Sequence, residues 1–358
     1  MRETVARFAV AYRRHLHPDG RLDDDAPAFA RDPARLIPLY RAMVRARTFD
    51  AKAVALQRTG QLGTYASALG QEAIGVAVGS AMRPEDVLLP SYREHAAQLL
   101  RGVTMTELLL YWGGDERGSD FAGPREDFPV CIPVATHACH AVGVAYAFRL
   151  RGEARVAVAV MGDGATSKGD FYEALNAAGV WRLPLVVVVN NNQWAISVPR
   201  SRQSAAETLA QKAVAAGIHG EQVDGNDVVA LRAALDEALG RARAGEGPSL
   251  VEALTYRLGD HTTADDASRY RDDDEVRRRW AEEPAARLRS HLVAVGAWGK
   301  ADEEALLAEA RAEVEQAVAA YLATPPPAPE AMFDHLHAEL PAALARQRAE
   351  VAGRGGHG

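Results

Sequence analysis

The sequence predicts an α/β fold: a doubly wound, mostly parallel sheet followed by a helical C-terminal region. Three observations carry that expectation. Val156 to Val160 and Leu185 to Val189 are short continuous apolar runs, the pattern of parallel strands covered on both faces. The stretch between them, closed by the tight turn Gly162-Asp163-Gly164 at one end, has room for a crossover helix. From Glu275 to Leu322 the chain instead alternates charges at helical spacing.

In chain order, Met1 to Pro33 is polar and charge-rich, with the run Asp23-Asp24-Asp25, and reads as a partly ordered arm. Leu36 to Leu62 carries helical periodicity. Gly70 to Met82 is rich in small residues and suits close packing, within the chain or against a second subunit. Val87 to Leu89 reads as a short strand ending at Pro90, which leaves Tyr92 and Arg93 in the loop beyond it. Gly113 to Pro129 is a glycine- and charge-rich loop, and His137 to Leu150 a small-residue helix feeding the Val156 strand. Asp170 is placed to cap the crossover helix, with Glu173 completing a capping-box-like pair. Leu250 to Ala253 is the remaining strand, Gly259 to Asp274 a polar loop, and Asp272-Asp273-Asp274 solvent-facing charge. Thr324-Pro325-Pro326-Pro327 is a hinge before a helical tail. The implied organisation is an arm over 1–33, an α/β domain over 34–274 and a helical region over 275–358.

Two parallel strands joined by a right-handed crossover place both C-termini on one sheet edge, where open α/β sheets bind ligands. Asp163 follows the first strand, and Asn192 comes 29 residues later, after the second. Neighbouring strands lie ~4.8 Å apart, so a carboxylate and an amide oxygen can meet at one hard cation, with phosphate oxygens completing its shell. Common phosphate loops do not fit. Ser167 stands where a dinucleotide fingerprint needs its third glycine, and no lysine-serine or lysine-threonine pair follows in P-loop register. Cys131, His137, Cys139 and His140 invite a zinc reading, but their order matches no tetrahedral ligand pattern, and adjacent Cys139 and His140 diverge on a helix.

Gly162-Asp163-Gly164 with Asn191-Asn192 resembles the thiamine diphosphate signature of the 2-oxo acid dehydrogenases, and more narrowly of the α subunit of their decarboxylating component. The similarity runs from about Leu36 to about Val351. It includes Gly70-Gln71-Glu72-Ala73, Ser91-Tyr92-Arg93-Glu94-His95, Val223-Asp224-Gly225-Asn226-Asp227, and Tyr256-Arg257 followed by His261. The resemblance implies a thiamine diphosphate-binding fold with thiamine diphosphate and Mg²⁺ as cofactors. It implies that Asp163, Asn192 and the carbonyl of Trp194 hold the metal, and that Arg93, beside Tyr92, contacts the diphosphate. Ile132 and Val134 match positions whose backbone holds the aminopyrimidine, although many relatives have a glycine-alanine-glutamine run where this chain reads Val134-Ala135-Thr136-His137. Gly164 and Ala165 are further cofactor positions. His261 takes the catalytic role on the active-site loop, and Arg257 anchors diphosphate or loop. Thr262 falls where animal relatives have a kinase-regulated serine.

The resemblance further implies a β subunit in an α₂β₂ assembly, a lipoyl-bearing acyltransferase partner and a small-molecule 2-oxo acid substrate. Pyruvate is the expected substrate; 3-methyl-2-oxobutanoate is the alternative. An acetoin-type enzyme and a non-catalytic binding subunit are further alternatives. After its one diphosphate-type βαβ unit, the chain offers a strand near Leu250, a loop and charged helices, with no second α/β domain to supply the acid that activates the cofactor.

Composition agrees. A chain of 358 residues can bury a substantial core. A formal charge of −7 and a pI near 5.9 argue against nucleic acid or anionic membrane as partners. No apolar stretch reaches transmembrane length, and Phe8 to Tyr12 is too short for a signal-peptide core. Two cysteines imply no disulfide framework, which suits the cytoplasm.

Overall fold

The computed structural model describes residues 2–354. Its centre is a six-stranded parallel sheet in the order β1-β7-β8-β4-β3-β2, formed by β1 Tyr12–Arg13, β2 Val87–Leu89, β3 Ala157–Gly162, β4 Leu185–Asn191, β7 His219–Asp224 and β8 Ser249–Leu254. A separate hairpin pairs β5 Trp194–Ala195 with β6 Val198–Pro199. The helices are α1 Pro33–Arg58, α2 Glu72–Ala81, α3 His95–Arg101, α4 Met105–Trp112, α5 Thr136–Arg151, α6 Gly169–Val180, α7 Gln211–Ala215, α8 Val228–Arg243, α9 Asp273–Trp280, α10 Pro284–Ala294, α11 Lys300–Ala323 and α12 Ala342–Arg354. Among the described residues, no helix is long and apolar enough to cross a membrane.

The continuous apolar runs follow from burial on both sides. Val158, Val160, Val186 and Val188 face a core built with α1, α2, α8 and α10. Ala157, Ala159, Met161, Leu185, Val187 and Val189 face a second core under α5 and α6. A third cluster joins the end of α1 to α4 and α11. The sheet is thus doubly wound, and the C-terminal α10 and α11 share α1 as their packing partner.

One local expectation is corrected, and three other segments gain detail. Asp170 does not cap α6: the N-cap is Lys168, whose ammonium lies 3.0 Å from the Asp170 carboxylate inside the first turn. The acidic run is solvent-exposed as expected and also serves α9: Asp272 caps it through its side chain, and Asp273 and Asp274 favour the positive helix end. Strand β7 went unread because His219-Gly220-Glu221-Gln222-Val223-Asp224 has no apolar run; Arg13 of β1 pairs with its Glu221 at 3.0 Å. That pairing also makes part of the N-terminal arm an edge strand. Finally, α2 spends its small face inside the chain: a Cβ at Gly75 would lie 3.0 Å from Ala96, and one at Gly79 2.9 Å from Leu100, both on α3.

Candidate active site

In the register of β3 on β4, Gly162 stands opposite Asn190, so the two chain segments leave adjacent strands side by side. After β3 the backbone enters a tight 3-10 turn, Asp163–Ser167; after β4 it reaches Asn192 and the β5–β6 hairpin. Together with the loop after β2, they enclose a cavity of about 530 Å³. Tyr92, Arg93, Ile132, Val134, Asp163, Gly164, Ala165, Asn192, Trp194, His261 and Thr262 all line it. Arg257 does not: it is buried behind His261, with Nη1 3.4 Å from His261 Nδ1 and Nη2 donating to the Tyr270 hydroxyl at 2.7 Å.

Asp163 is buried, and burial pushes its carboxyl up from the ordinary value, opposed by a 2.9 Å hydrogen bond from Gln203 Nε2 to Oδ2. Asn192 donates from Nδ2 to Gln71 Oε1 at 2.9 Å, which leaves its amide oxygen turned to the backbone N–H of Trp194 at 3.2 Å. A carboxylate and an amide oxygen, both nearly dry and both oriented by a glutamine, are a hard-oxygen donor set of the kind Mg²⁺ takes.

Arg93 is buried and forms no ion pair with any carboxylate among the described residues. Burial lowers its pKa below the ordinary guanidinium value. Nη1 donates to the Ser67 carbonyl, and Nη2 donates to the His261 carbonyl at 2.6 Å and to His261 Nδ1 at 3.0 Å. A guanidinium only donates, so His261 Nδ1 must accept, and the neutral ring carries its proton on Nε2. Burial, then Arg93 and Arg257, hold the His261 pKa down at about 4. The result is an unpaired buried cation beside a neutral imidazole that can donate a hydrogen bond. This is an anion-binding arrangement.

Backbone strain gathers at the same place. Ala135, Gln193 and Ile196 have positive φ values of 68°, 73° and 54°. For β-branched Ile196 that conformation is a marked outlier, and such strain persists where the surroundings over-determine it. Gly164 is required for a close approach, since a Cβ there would lie 2.8 Å from the Ala195 Cβ.

Several contributors were not singled out from sequence. Gln71 sits in a block that carried the resemblance, but no role was read for it; Gln203 sits in a polar loop with no pattern. Lys212 is buried and donates to the Thr166 carbonyl at 2.5 Å, closing the Asp163 turn from behind. Asn191 faces away from the cavity and donates to Glu252 at 2.7 Å. His137 is buried and bonded to the Val160 carbonyl at 2.8 Å, whereas Cys139 and His140 are exposed.

Residues 40–330 match the protein family described as dehydrogenase E1 component. The 3-methyl-2-oxobutanoate dehydrogenase subunit alpha of Mycobacterium tuberculosis is 44% identical over 317 residues, covering 87% of this chain and 85% of that protein. The pyruvate dehydrogenase E1 component subunit alpha of Staphylococcus aureus is 40% identical over 314 residues, with the same coverage of 87% and 85%. Its counterpart in Staphylococcus epidermidis is 37% identical over 348 residues, 97% of this chain and 94% of that protein.

Proposed function

The chain belongs to the dehydrogenase E1 component family, and on that premise we propose that it is the α subunit of a pyruvate dehydrogenase, transferring the acyl group to lipoamide. The family depends on thiamine diphosphate, and the cavity's donor set fits that group. Asp163, Asn192 and the Trp194 carbonyl would hold Mg²⁺, and Arg93 would take diphosphate oxygens. Backbone groups at Gly164 and Ala165, and at Ile132 and Val134, would seat the two ends of the cofactor. When bound, the cofactor would supply the electron sink that decarboxylation of a 2-oxo acid needs. His261 would donate from Nε2 at the cavity face and assist acyl transfer, with Arg257 anchoring its loop from behind. The observation that carries this reading is the meeting of Asp163, Asn192 and carboxylate-free Arg93 at one cavity beside neutral His261.

The chain is also proposed to act only with a β subunit, as α₂β₂, and to pass its acyl group to a lipoyl-bearing acyltransferase. Besides Asp163, the cavity's lining carboxylate is Glu94, and its Oε2 is engaged by the Ser91 hydroxyl at 2.8 Å and the Arg93 N–H at 3.2 Å. Neither is available to activate the aminopyrimidine.

A second reading, a 3-methyl-2-oxobutanoate enzyme, is favoured by the mycobacterial relative and by the apolar rim of Ile132 and Val134. One methylene in a pocket is worth only ~1–3 kcal/mol, so the two substrates overlap. Initial rates of the reconstituted α/β assembly on pyruvate, 3-methyl-2-oxobutanoate and acetoin decide among them. A higher kcat/KM for 3-methyl-2-oxobutanoate makes the second reading correct, and activity on acetoin alone overturns both.

A further inference from the structure

Behind the cavity lies a buried hydrogen-bond chain that none of the roles above uses. Asp50 of α1 is 6% exposed and accepts three hydrogen bonds: Oδ1 from the Tyr65 hydroxyl at 2.9 Å and the Ala68 N–H at 2.8 Å, Oδ2 from the Ser67 hydroxyl at 2.5 Å. All three donors belong to the connector between α1 and α2. Buried carboxylates need such donors, and these three tie one irregular segment to α1.

The same connector touches the proposed site at three points. The Ser67 carbonyl receives Arg93 Nη1. Tyr65 exchanges hydrogen bonds with the His261 loop, its N–H donating to Thr263 Oγ1 at 3.0 Å and its carbonyl accepting from the Thr263 N–H at 2.9 Å. Lastly, Trp112 Nε1 donates to His95 Nε2 at 3.1 Å, so His95 carries its proton on Nδ1, 3.2 Å from the Tyr65 oxygen, and Tyr65 donates onward to Asp50. Every proton in that series points toward Asp50. Trp112 is itself a wall of the cavity.

We propose that Asp50 is a positioning residue that sets Arg93, the His261 loop and the Trp112 wall together through the 65–68 connector. This rests on the cofactor reading given above. One carboxylate outside the cavity thereby fixes the spacing between the cation that receives the diphosphate and the imidazole that serves the acyl group.

The test uses the α chain assembled with its cognate β subunit. It reads half-saturating thiamine diphosphate, the Tm gain on adding pyrophosphate with Mg²⁺, and backbone hydrogen exchange across residues 261–266 without ligand. Thr263→Val cuts one connector bond at its loop end, where Thr263 is partly exposed. It is expected to keep the wild-type Tm, speed exchange across 261–266 and raise half-saturation about three- to tenfold, the worth of one hydrogen bond. Asp50→Ala should raise half-saturation about tenfold or more and shrink the pyrophosphate response, since all three acceptor contacts are lost. Asp50→Asn, which keeps an acceptor for Tyr65 and Ala68, should restore binding to within about threefold of wild type. The proposal is overturned if Thr263→Val shows wild-type exchange and binding, or if Asp50→Ala lowers Tm while leaving both unchanged. Should Asp50→Ala not assemble, the other two variants decide. A wild-type assembly that ignores both pyrophosphate and thiamine diphosphate instead removes the cofactor reading, and this inference with it.

Discussion

Arg287 and Arg257 are both almost completely buried, yet they are satisfied in opposite ways. Arg287 donates to Asp224 at 2.8 Å and to the Leu16 carbonyl at 3.0 Å, and Arg14 joins the same carboxylate at 2.7 Å. That cluster seams α10 and the N-terminal segment onto the end of β7. Among the described residues, Arg257 and Arg93 have only neutral acceptors: the Tyr270 hydroxyl, the Ser67 carbonyl, and Nδ1 and the carbonyl of His261. A buried charge without a counter-charge is costly, and a protein retains it where a ligand supplies the missing sign. Paired arginines therefore mark what holds the fold, and the unpaired ones mark where, on the proposed function, an anion belongs.

The harshest test removes the proposed metal end of the cavity. Asp163→Ala should abolish cofactor-dependent turnover, because a diphosphate without its cation cannot be held in a water-poor site by Arg93 alone. Thiamine diphosphate affinity measured with Mg²⁺ present checks it. Normal affinity would break the division between a fold-holding and an anion-holding region at its first point.

How far this was legible in the sequence differs between the two regions. In the proposed anion region the strands are legible where pattern and burial coincide: apolar runs mark β3 and β4, and Asp163 and Asn192 follow them on adjacent strands. That region is less legible where a residue works from behind. Gln71, Gln203 and Lys212 support the cavity residues through one or two side-chain hydrogen bonds each, and no periodicity distinguishes such residues from solvated ones. Arg257 was expected at the diphosphate or as loop anchor, and only three dimensions put it behind His261. The seam was nearly invisible. Its strands β1 and β7 are polar because they pair at a sheet edge through Arg13 and Glu221, so the signal of burial is missing from them. Asp170 illustrates a further limit: the N-cap of the helix lies two residues earlier than the capping pattern implies, at Lys168, and no side chain caps it.

A second test separates chemistry from cofactor holding within the anion region. His261→Ala should leave metal binding intact and cut acyl transfer to the lipoyl group by about 10²-fold, the usual worth of a positioned acid-base group. Decarboxylation with an artificial electron acceptor, compared with turnover by the full complex, reads the difference. Equal and negligible losses in both assays would remove His261 from the mechanism and leave it a loop residue.

The comparison itself is sharpened by making the same substitution in both places. Arg287→Met leaves the Asp224 carboxylate short of a partner and should destabilise the chain by about 3 kcal/mol, toward the low end for a broken buried pair because Arg14 remains. Arg257→Met strands no carboxylate, so its Tm should stay near wild type, while thiamine diphosphate binding weakens about tenfold through a loosened His261 loop. Thermal unfolding and cofactor titration of both variants suffice. If Arg257→Met unfolds as readily as Arg287→Met, unpaired burial is no guide to function in this chain.

The smallest effect is a proton. His261 is held neutral down to about pH 4, below the ordinary 6.5, first by burial and then by Arg93 and Arg257. As pH falls from 6.5 toward 4, the unfolded chain takes up a proton that folded His261 refuses. The stability His261 contributes is therefore complete above pH 6.5 and is lost on acidification through that window. An anion beside Arg93 changes this balance. Its negative charge offsets the two guanidinium fields, so the His261 pKa must rise on binding, and near pH 5 the complex takes up a fraction of a proton. Pyrophosphate changes its own protonation at this pH, so the quantity to measure is the difference between wild type and His261→Gln. Calorimetric titration with pyrophosphate and Mg²⁺, in two buffers of unlike ionisation enthalpy, gives that difference directly. Net uptake by wild type relative to the variant places the anion against Arg93 and His261. A zero difference would mean that the bound anion sits too far from the arginine pair to be felt there, and that the unpaired cations answer to something else.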